Sequence, residues 1–481
     1  MAEQTLKEKT AKGLFWGGLS NGVQQVLNLV FGLVLARILN ASDYGMVGML
    51  AIFSAIASTI QESGFTAALT NQKEIRHEDY NAVFWFSTLT GVLFYLILFF
   101  CAPLIAKFYD KPELIGLSRV VFLGFLFGGF GIASNAYLFK TLMVKERAKI
   151  DIIALICSGI VGVTLALNGF TYYGLAIQTT IYIGVGSLLK MYFAPWKPTV
   201  QIDFHPLKLM FGFSSKLILT NIFTQISNNV FSVVLGKFYS PQQLGYYSQG
   251  QKWGGMGSQF ITGMISNVVQ PVLVQIVDDK DRVKSVVRKM IRLGAFVSFP
   301  LMLGFAFVSR EFVLLLLGSK WLPSVPFLQL FCVWGAIGFI WSIYAYLLMS
   351  FEKSEVYLYG IIFSGMAQIL GIILVYKYGS ISIAIVSIIS NMLCLLFWHY
   401  FINKLISLSW IDVLKDILPY LVVLSISCLV TYYVISNINC LLEVFFIKIG
   451  IVSILYILIV WRCNSVILRD LLIFFKEKSV F

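Results

Sequence analysis

Residues 21–45 read NGVQQVLNLVFGLVLARILNASDYG, and residues 221–245 read NIFTQISNNVFSVVLGKFYSPQQLG. Laid over each other without a gap, the two stretches agree at eight positions: Asn21/Asn221, Gln25/Gln225, Asn28/Asn228, Val30/Val230, Phe31/Phe231, Val34/Val234, Leu35/Leu235 and Gly45/Gly245. Arg37/Lys237 adds a conservative pair. Each copy reads as an apolar helix dotted with amides, then a cation, a short turn and the start of a second helix. Six apolar stretches separate the copies, so both set out from the same membrane face. This is the pattern of a parallel internal repeat, which builds a transporter from two like halves.

The rest of the chain has the composition this reading needs. Of its 481 residues, 58% are hydrophobic and 12% charged, against ~45–50% and ~25% in soluble domains. The apolar residues gather in runs of roughly 18–25, long enough to cross ~30 Å of hydrocarbon as helices. Backbone groups in lipid must be paired internally, which a helix does within itself. A barrel would need ~10-residue alternating segments, and these runs do not alternate. Fourteen spans are expected, at 13–37, 44–62, 82–104, 117–139, 150–168, 171–190, 212–236, 250–276, 291–308, 325–350, 357–376, 381–402, 417–435 and 441–461. The expected fold is all-α and polytopic. Two parallel six-helix lobes occupy 1–205 and 206–405, and two additional helices with a tail occupy 406–481. The first run carries internal amides and no small-residue cleavage site, so it reads as a spanning helix and not a signal peptide. The longest loops, 62–81 and 190–211, are too short for a separate domain.

Of the 36 Lys and Arg, 25 fall on the face that holds the N-terminus, 7 on the other, and 4 inside spans. Such a bias marks the cytoplasmic face, which puts both termini in the cytoplasm. It also explains the net charge of +13. The basic stretch from Asp278 to Arg292 reads as a topology anchor, and no nucleic-acid partner is expected. The seven cysteines form no CxxC or Cys/His cluster, so neither a zinc site nor a disulfide framework is expected. There is no GxxxxGK[ST] or HExxH motif, and none of His77, His205 and His399 stands beside a nucleophile. The sequence predicts no enzyme activity, no metal and no cofactor.

Asn21, Gln24, Gln25 and Asn28 fall at i, i+3, i+4 and i+7, on one helix face. The second copy repeats the stripe with Asn221, Thr224, Gln225 and Asn228, joined by Asn229. Helix 8 has a face of its own in Gln259, Thr262, Ser266 and Gln270, and helix 2 has Ser54, Ser58 and Gln61. Amides in membranes also serve as interhelical glue. Stripes in both copies favour a hydrated cavity whose amides donate to and accept from a hydroxyl-rich substrate. Few charges lie near the membrane. Arg37 and Lys237 end helices 1 and 7, Lys252 starts helix 8, Lys216 starts helix 7, and Glu62 ends helix 2. Ionisable groups in spans are functional candidates. Lys448 reads instead as a snorkelling lysine whose head reaches the interface.

Several stretches carry a resemblance. They are Leu35-Ala36-Arg37-Ile38-Leu39 with Asp43-Tyr44-Gly45, Glu62-Ser63-Gly64-Phe65 with Ala67-Ala68-Leu69, Val83-Phe84-Trp85, Ala102-Pro103-Leu104-Ile105-Ala106 with Phe108-Tyr109, Gly236-Lys237-Phe238, Leu244-Gly245-Tyr246-Tyr247 and Gly318-Ser319-Lys320-Trp321. In order and spacing the chain resembles the polysaccharide exporters of the multidrug/oligosaccharidyl-lipid/polysaccharide superfamily. The likeness covers most of the first ~350 residues and thins over the last four helices. It implies a flippase in the cytoplasmic (inner) membrane. Such a protein turns an undecaprenyl-diphosphate-linked oligosaccharide between leaflets by alternating access, for O-antigen, capsule or exopolysaccharide synthesis. The partners so implied are the lipid-linked oligosaccharide, membrane lipid, a coupling ion (proton or sodium) and polysaccharide assembly proteins. Mouth cations Arg37, Lys216 and Lys252 would hold the diphosphate. Relatives carry an Asp in helix 7 where this chain has Phe231, which leaves the coupling ion open. Two other readings stand beside it: an ion-coupled small-molecule antiporter of the same superfamily, and a membrane-embedded polymerase or acyltransferase.

Overall fold

Every apolar run of the sequence becomes helix in the computed structural model. The described residues are 6–62, 69, 75–436 and 438–463, without the side chains of 6–15, 209–217, 219–220, 266–268 and 270–271. Residues 63–68, which carry part of the resemblance, and the side chains of Lys216, Ser266 and Gln270 therefore lie outside the described residues. The described helices are α1 (Leu6–Ile38), α2 (Ala41–Gly48), α3 (Ala51–Glu62), α4 (His77–Tyr109), α5 (Leu114–Lys140), α6 (Val144–Leu167), α7 (Thr171–Phe193), α8 (His205–Phe238), α9 (Pro241–Ile276), α10 (Lys280–Phe312), α11 (Val325–Ser350), α12 (Ser354–Val375), α13 (Ser380–Ile406), α14 (Trp410–Val434) and α15 (Leu441–Arg462). No strand occurs among the described residues.

Eleven stretches of the described residues are long and apolar enough to cross a membrane: α1, α2 with α3, α4, α5, α6, and α10 through α15. The more polar helices α7, α8 and α9 have 23, 34 and 36 residues, so a count of fourteen crossings that includes them stands as a proposal. The second expected span is locally distorted, with the Leu50 N–H reaching the Val47 carbonyl at 3.1 Å. The distortion falls at Met49–Leu50 between α2 and α3, where Gly45 and Gly48 weaken the local helix. The start of α2 is fixed by the Asp43 carboxylate, which accepts from the Asn40 backbone N–H at 2.9 Å, a reciprocal cap at the helix N-terminus.

Packing divides the chain into two compact units, 1–245 and 246–481. In the first, α5 lies against α4 and α7, α6 against α7 and α1, and α8 against α3 and α4. Close approach rests on missing side chains, as membrane helix packing requires. A Cβ on Gly129 would stand 2.6 Å from the Ser87 carbonyl oxygen. The repeat also meets itself here. A Cβ on Gly45 would fall 1.7 Å from the Pro241 carbonyl oxygen, and one on Gly245 would fall 1.8 Å from that of Ala41. Positions 41 and 241 are themselves related by the 200-residue offset. A contact of i with j that is matched by j with i is the signature of a two-fold relation.

In the second unit α10 is the central element, touching α11, α13, α14 and α15. Its start is capped by Asp279, whose side chain accepts from the Arg282 N–H at 3.0 Å. In its middle, Ser298 donates to the Ala336 carbonyl at 2.9 Å.

Candidate functional site

The amide stripes lie at the centres of their helices. At 1.5 Å per residue α1 is about 50 Å long, and Asn21 to Asn28 span roughly 22–33 Å from its start. Asn221 to Asn228 hold the same place on α8, and Gln259 and Thr262 lie midway along α9. Asn21, Asn28, Asn221, Asn228 and Gln259 are exposed, while Gln24, Gln25, Gln225 and Thr262 are half-buried. Local bonds tie some of the set: Gln24 donates to Ser20 at 2.9 Å, Asn229 to the Gln225 carbonyl at 2.9 Å, and Thr262 to the Ser258 carbonyl at 3.0 Å. The exposed amides are not buried interhelical glue, and their apolar neighbours Val26, Leu29 and Val30 on α1 are open as well.

The face expected on helix 2 behaves differently. Gln61 is buried and donates to the carbonyls of Phe125 at 2.8 Å and Ser87 at 3.3 Å, on two neighbouring helices. It is glue. Ser58 turns back on its own helix, donating to the Ala55 carbonyl.

Arg37 is exposed one residue before the end of α1, and Lys252 is exposed on α9. Because α9 begins at Pro241, Lys252 sits about 16 Å along the helix and not at its first residue. Its ammonium lies 5.5 Å from the Trp253 ring centroid. Lys237 pairs with Asp110 at 2.7 Å. Phe231 is fully buried, so no carboxylate occupies that place.

Lys448 does not snorkel. It is buried, and its ammonium donates to Glu311 at 3.0 Å, with the Phe307 ring centroid 4.5 Å away. Glu311 ends α10 and is equally buried, so the pair clamps α15 to α10. Nearer the other end of α10, Arg288 gives two bonds to Asp416 of α14, at 2.8 and 3.0 Å. Lys284 and Arg292 reach Asp412 and Asp416 at 3.5 and 3.3 Å. Between the clamps, Tyr456 donates to the Phe296 carbonyl at 3.0 Å. The basic stretch read as a topology anchor forms the first turns of α10 and also fastens α14. Sequence reasoning passed over Glu311, Asp412 and Asp416 because each sat near a span end with no partner nearby in sequence. It also passed over Asp151 and Lys190, which the structure brings to one cavity with Glu62.

The fold and its reciprocal repeat contact define a polytopic helical membrane protein built from two like copies. Residues 34–326 match the family described as "Polysaccharide biosynthesis protein", and the chain belongs to that family. It is 25% identical over 365 residues to the lipopolysaccharide biosynthesis protein WzxC of Escherichia coli (strain K12), covering 73% of this chain and 72% of that one. It is 22% identical over 335 residues to the teichuronic acid biosynthesis protein TuaB of Bacillus subtilis (strain 168), covering 69% of each. Among solved structures it is similar to the lipid II flippase MurJ in an inward closed conformation, with a TM-score of 0.77, 16% identity, and 95% and 99% of the two chains covered. An inward-facing multidrug resistance MATE family transporter of the MOP superfamily overlays with a TM-score of 0.64 and 16% identity, over 80% of this chain and 96% of that one. These overlays establish a MurJ- and MATE-like fold.

Proposed function

We propose that the protein is a flippase of the cytoplasmic membrane. It carries a polyprenyl-diphosphate-linked oligosaccharide from the inner to the outer leaflet by alternating access, for the assembly of a surface polysaccharide, with both termini in the cytoplasm. The observation that carries this reading is the exposure of Asn21, Asn28, Asn221 and Asn228 at equivalent mid-membrane positions of the two repeat copies. Amides left open there suit a water-filled path for sugar hydroxyls, since each can donate and accept. The family and the named relatives, in lipopolysaccharide and teichuronic acid biosynthesis, supply the same substrate class. Arg37, Lys216 and Lys252 are the cations offered to the diphosphate, by charge-assisted bonds. α14 and α15 leave Val422, Ile426, Leu429, Phe446 and Ile457 exposed, which suits contact with lipid and with the polyprenyl tail.

The test is the double substitution Asn28→Leu/Asn228→Leu in a host lacking its own exporter. Surface polysaccharide should fall at least about tenfold, equivalent to ~1.4 kcal/mol of lost substrate interaction, with membrane-inserted protein unchanged on immunoblot. Undiminished export would remove the amides from the path. Dye efflux driven by an ion gradient, without polysaccharide export, would favour the antiporter reading.

A further inference from the structure

We propose that the amino-terminal unit holds a separate subsite for one neutral sugar ring, in a cavity ringed by Glu62, Asp151 and Lys190. The inference rests on the transport reading above and names a second place where part of the substrate is held. Glu62 ends α3, Asp151 lies in the second turn of α6, and Lys190 lies in the last turn of α7. Together with Asn135, Tyr182 and Ser187 they line one cavity of about 250 Å³.

Three features select the occupant. The first is the mixed sign of the lining. Two carboxylates face one ammonium in the lining, and Arg147, one turn before Asp151 on α6 and outside the lining, adds a second positive charge nearby. A diphosphate would be drawn by Lys190 and repelled by both carboxylates; a bare cation would meet the reverse. At ~4 Å each such term is about 4 kcal/mol at an effective dielectric of 20. A hydroxyl donates to a carboxylate and accepts from an ammonium, so a polyhydroxylated ring satisfies every member at once.

The second is that the charges are held apart. Among the described residues no ion pair within 4 Å joins Glu62, Asp151 and Lys190. Charged groups that do not close on one another are left to pair with what enters between them.

The third is size. The cavity has room for about eight waters at ~30 Å³ each, just below the ~300–1,000 Å³ of pockets for larger ligands, a size that matches a single ring. Glycine makes the room: a Cβ on Gly186 would meet only the Ala154 Cβ, at 3.8 Å. Ile132, Ile183 and the Tyr182 ring supply apolar wall for the C–H face of a pyranose.

The test uses the full chain in lipid nanodiscs, saturation-transfer difference NMR, and glucose, galactose and N-acetylglucosamine as probes. At least one probe should give a signal, at least threefold weaker in Lys190→Met and Glu62→Gln and lost in Gly186→Leu, which fills the cavity. The first two substitutions lie on partly or fully exposed side chains, so they report even if the third misfolds. Pyrophosphate should not displace the probe, and sodium should not be required. No signal from any probe, a signal indifferent to all three substitutions, displacement by pyrophosphate, or dependence on sodium would each overturn the subsite. Asn28→Leu/Asn228→Leu should keep the cavity-dependent signal. If that variant still exports while the signal survives, the central path fails and the subsite stands; if it stops exporting while the signal ignores the cavity variants, the reverse holds.

Discussion

The two units treat helix-borne charge in opposite ways. In the carboxy-terminal unit Lys448 and Glu311 are buried against each other at 3.0 Å, and Arg288 and Asp416 are joined by two bonds. In the amino-terminal unit Glu62, Asp151 and Lys190 stand around a cavity of about 250 Å³. The residue types are the same. A closed pair neutralises itself, gives a rigid attachment between helices, and offers nothing to a ligand. An open ring keeps its hydrogen-bonding capacity for an incoming group and contributes little to holding helices together. Charge on a packed helix is therefore not by itself a mark of a site; whether it is closed by protein decides.

The sharpest way to break the comparison is to remove one partner from each set. Lys448→Met leaves Glu311 buried and uncompensated, which costs about 3–5 kcal/mol. Adding Glu311→Leu should recover most of that loss, because an apolar pair of similar volume is near neutral. Lys190→Met should change stability by less than about 0.5 kcal/mol, as for a side chain without a closed partner. Unfolding in mild detergent, followed by tryptophan fluorescence, reads all three. A large loss in Lys190→Met would show that the amino-terminal charges are also structural.

Next in size is the repeat contact. Gly45→Ala and Gly245→Ala each drive a methyl group into a backbone carbonyl, which has no rotamer with which to yield. Each should cost about 1–3 kcal/mol, the usual range for overpacking, and the two should be alike because the contact is reciprocal. The same unfolding measurement checks it; one variant tolerated and the other not would deny the two-fold relation.

The smallest loss from a closed ion pair belongs to Lys237–Asp110, whose carboxylate side chain is 78% exposed. Asp110→Asn should lose no more than about 1 kcal/mol, and the loss should fade in high salt. A larger or salt-independent loss would place that pair with the buried clamps.

Much of the fold could be read directly from the chain. Run length and apolarity predict helices wherever the structure has them, because crossing hydrocarbon is a local requirement on each segment. The distortion at Met49–Leu50 was hidden, since an apolar run does not announce a turn inside it. The amide stripes were legible because their period of three and four residues is a property of a single helix. Gln61 had the same appearance in sequence and is buried glue.

What the sequence by itself determined is the class of molecule and its repeat: lengths, periodicity and the 200-residue offset are all properties of neighbouring or directly comparable residues. What only the tertiary structure decided is which charges meet. Glu311 finds Lys448 137 positions away, and Arg288 finds Asp416 128 away, while Glu62, Asp151 and Lys190 are gathered and held apart. Coulomb energy depends on distance in space and on burial, and neither is written in the order of residues along a chain.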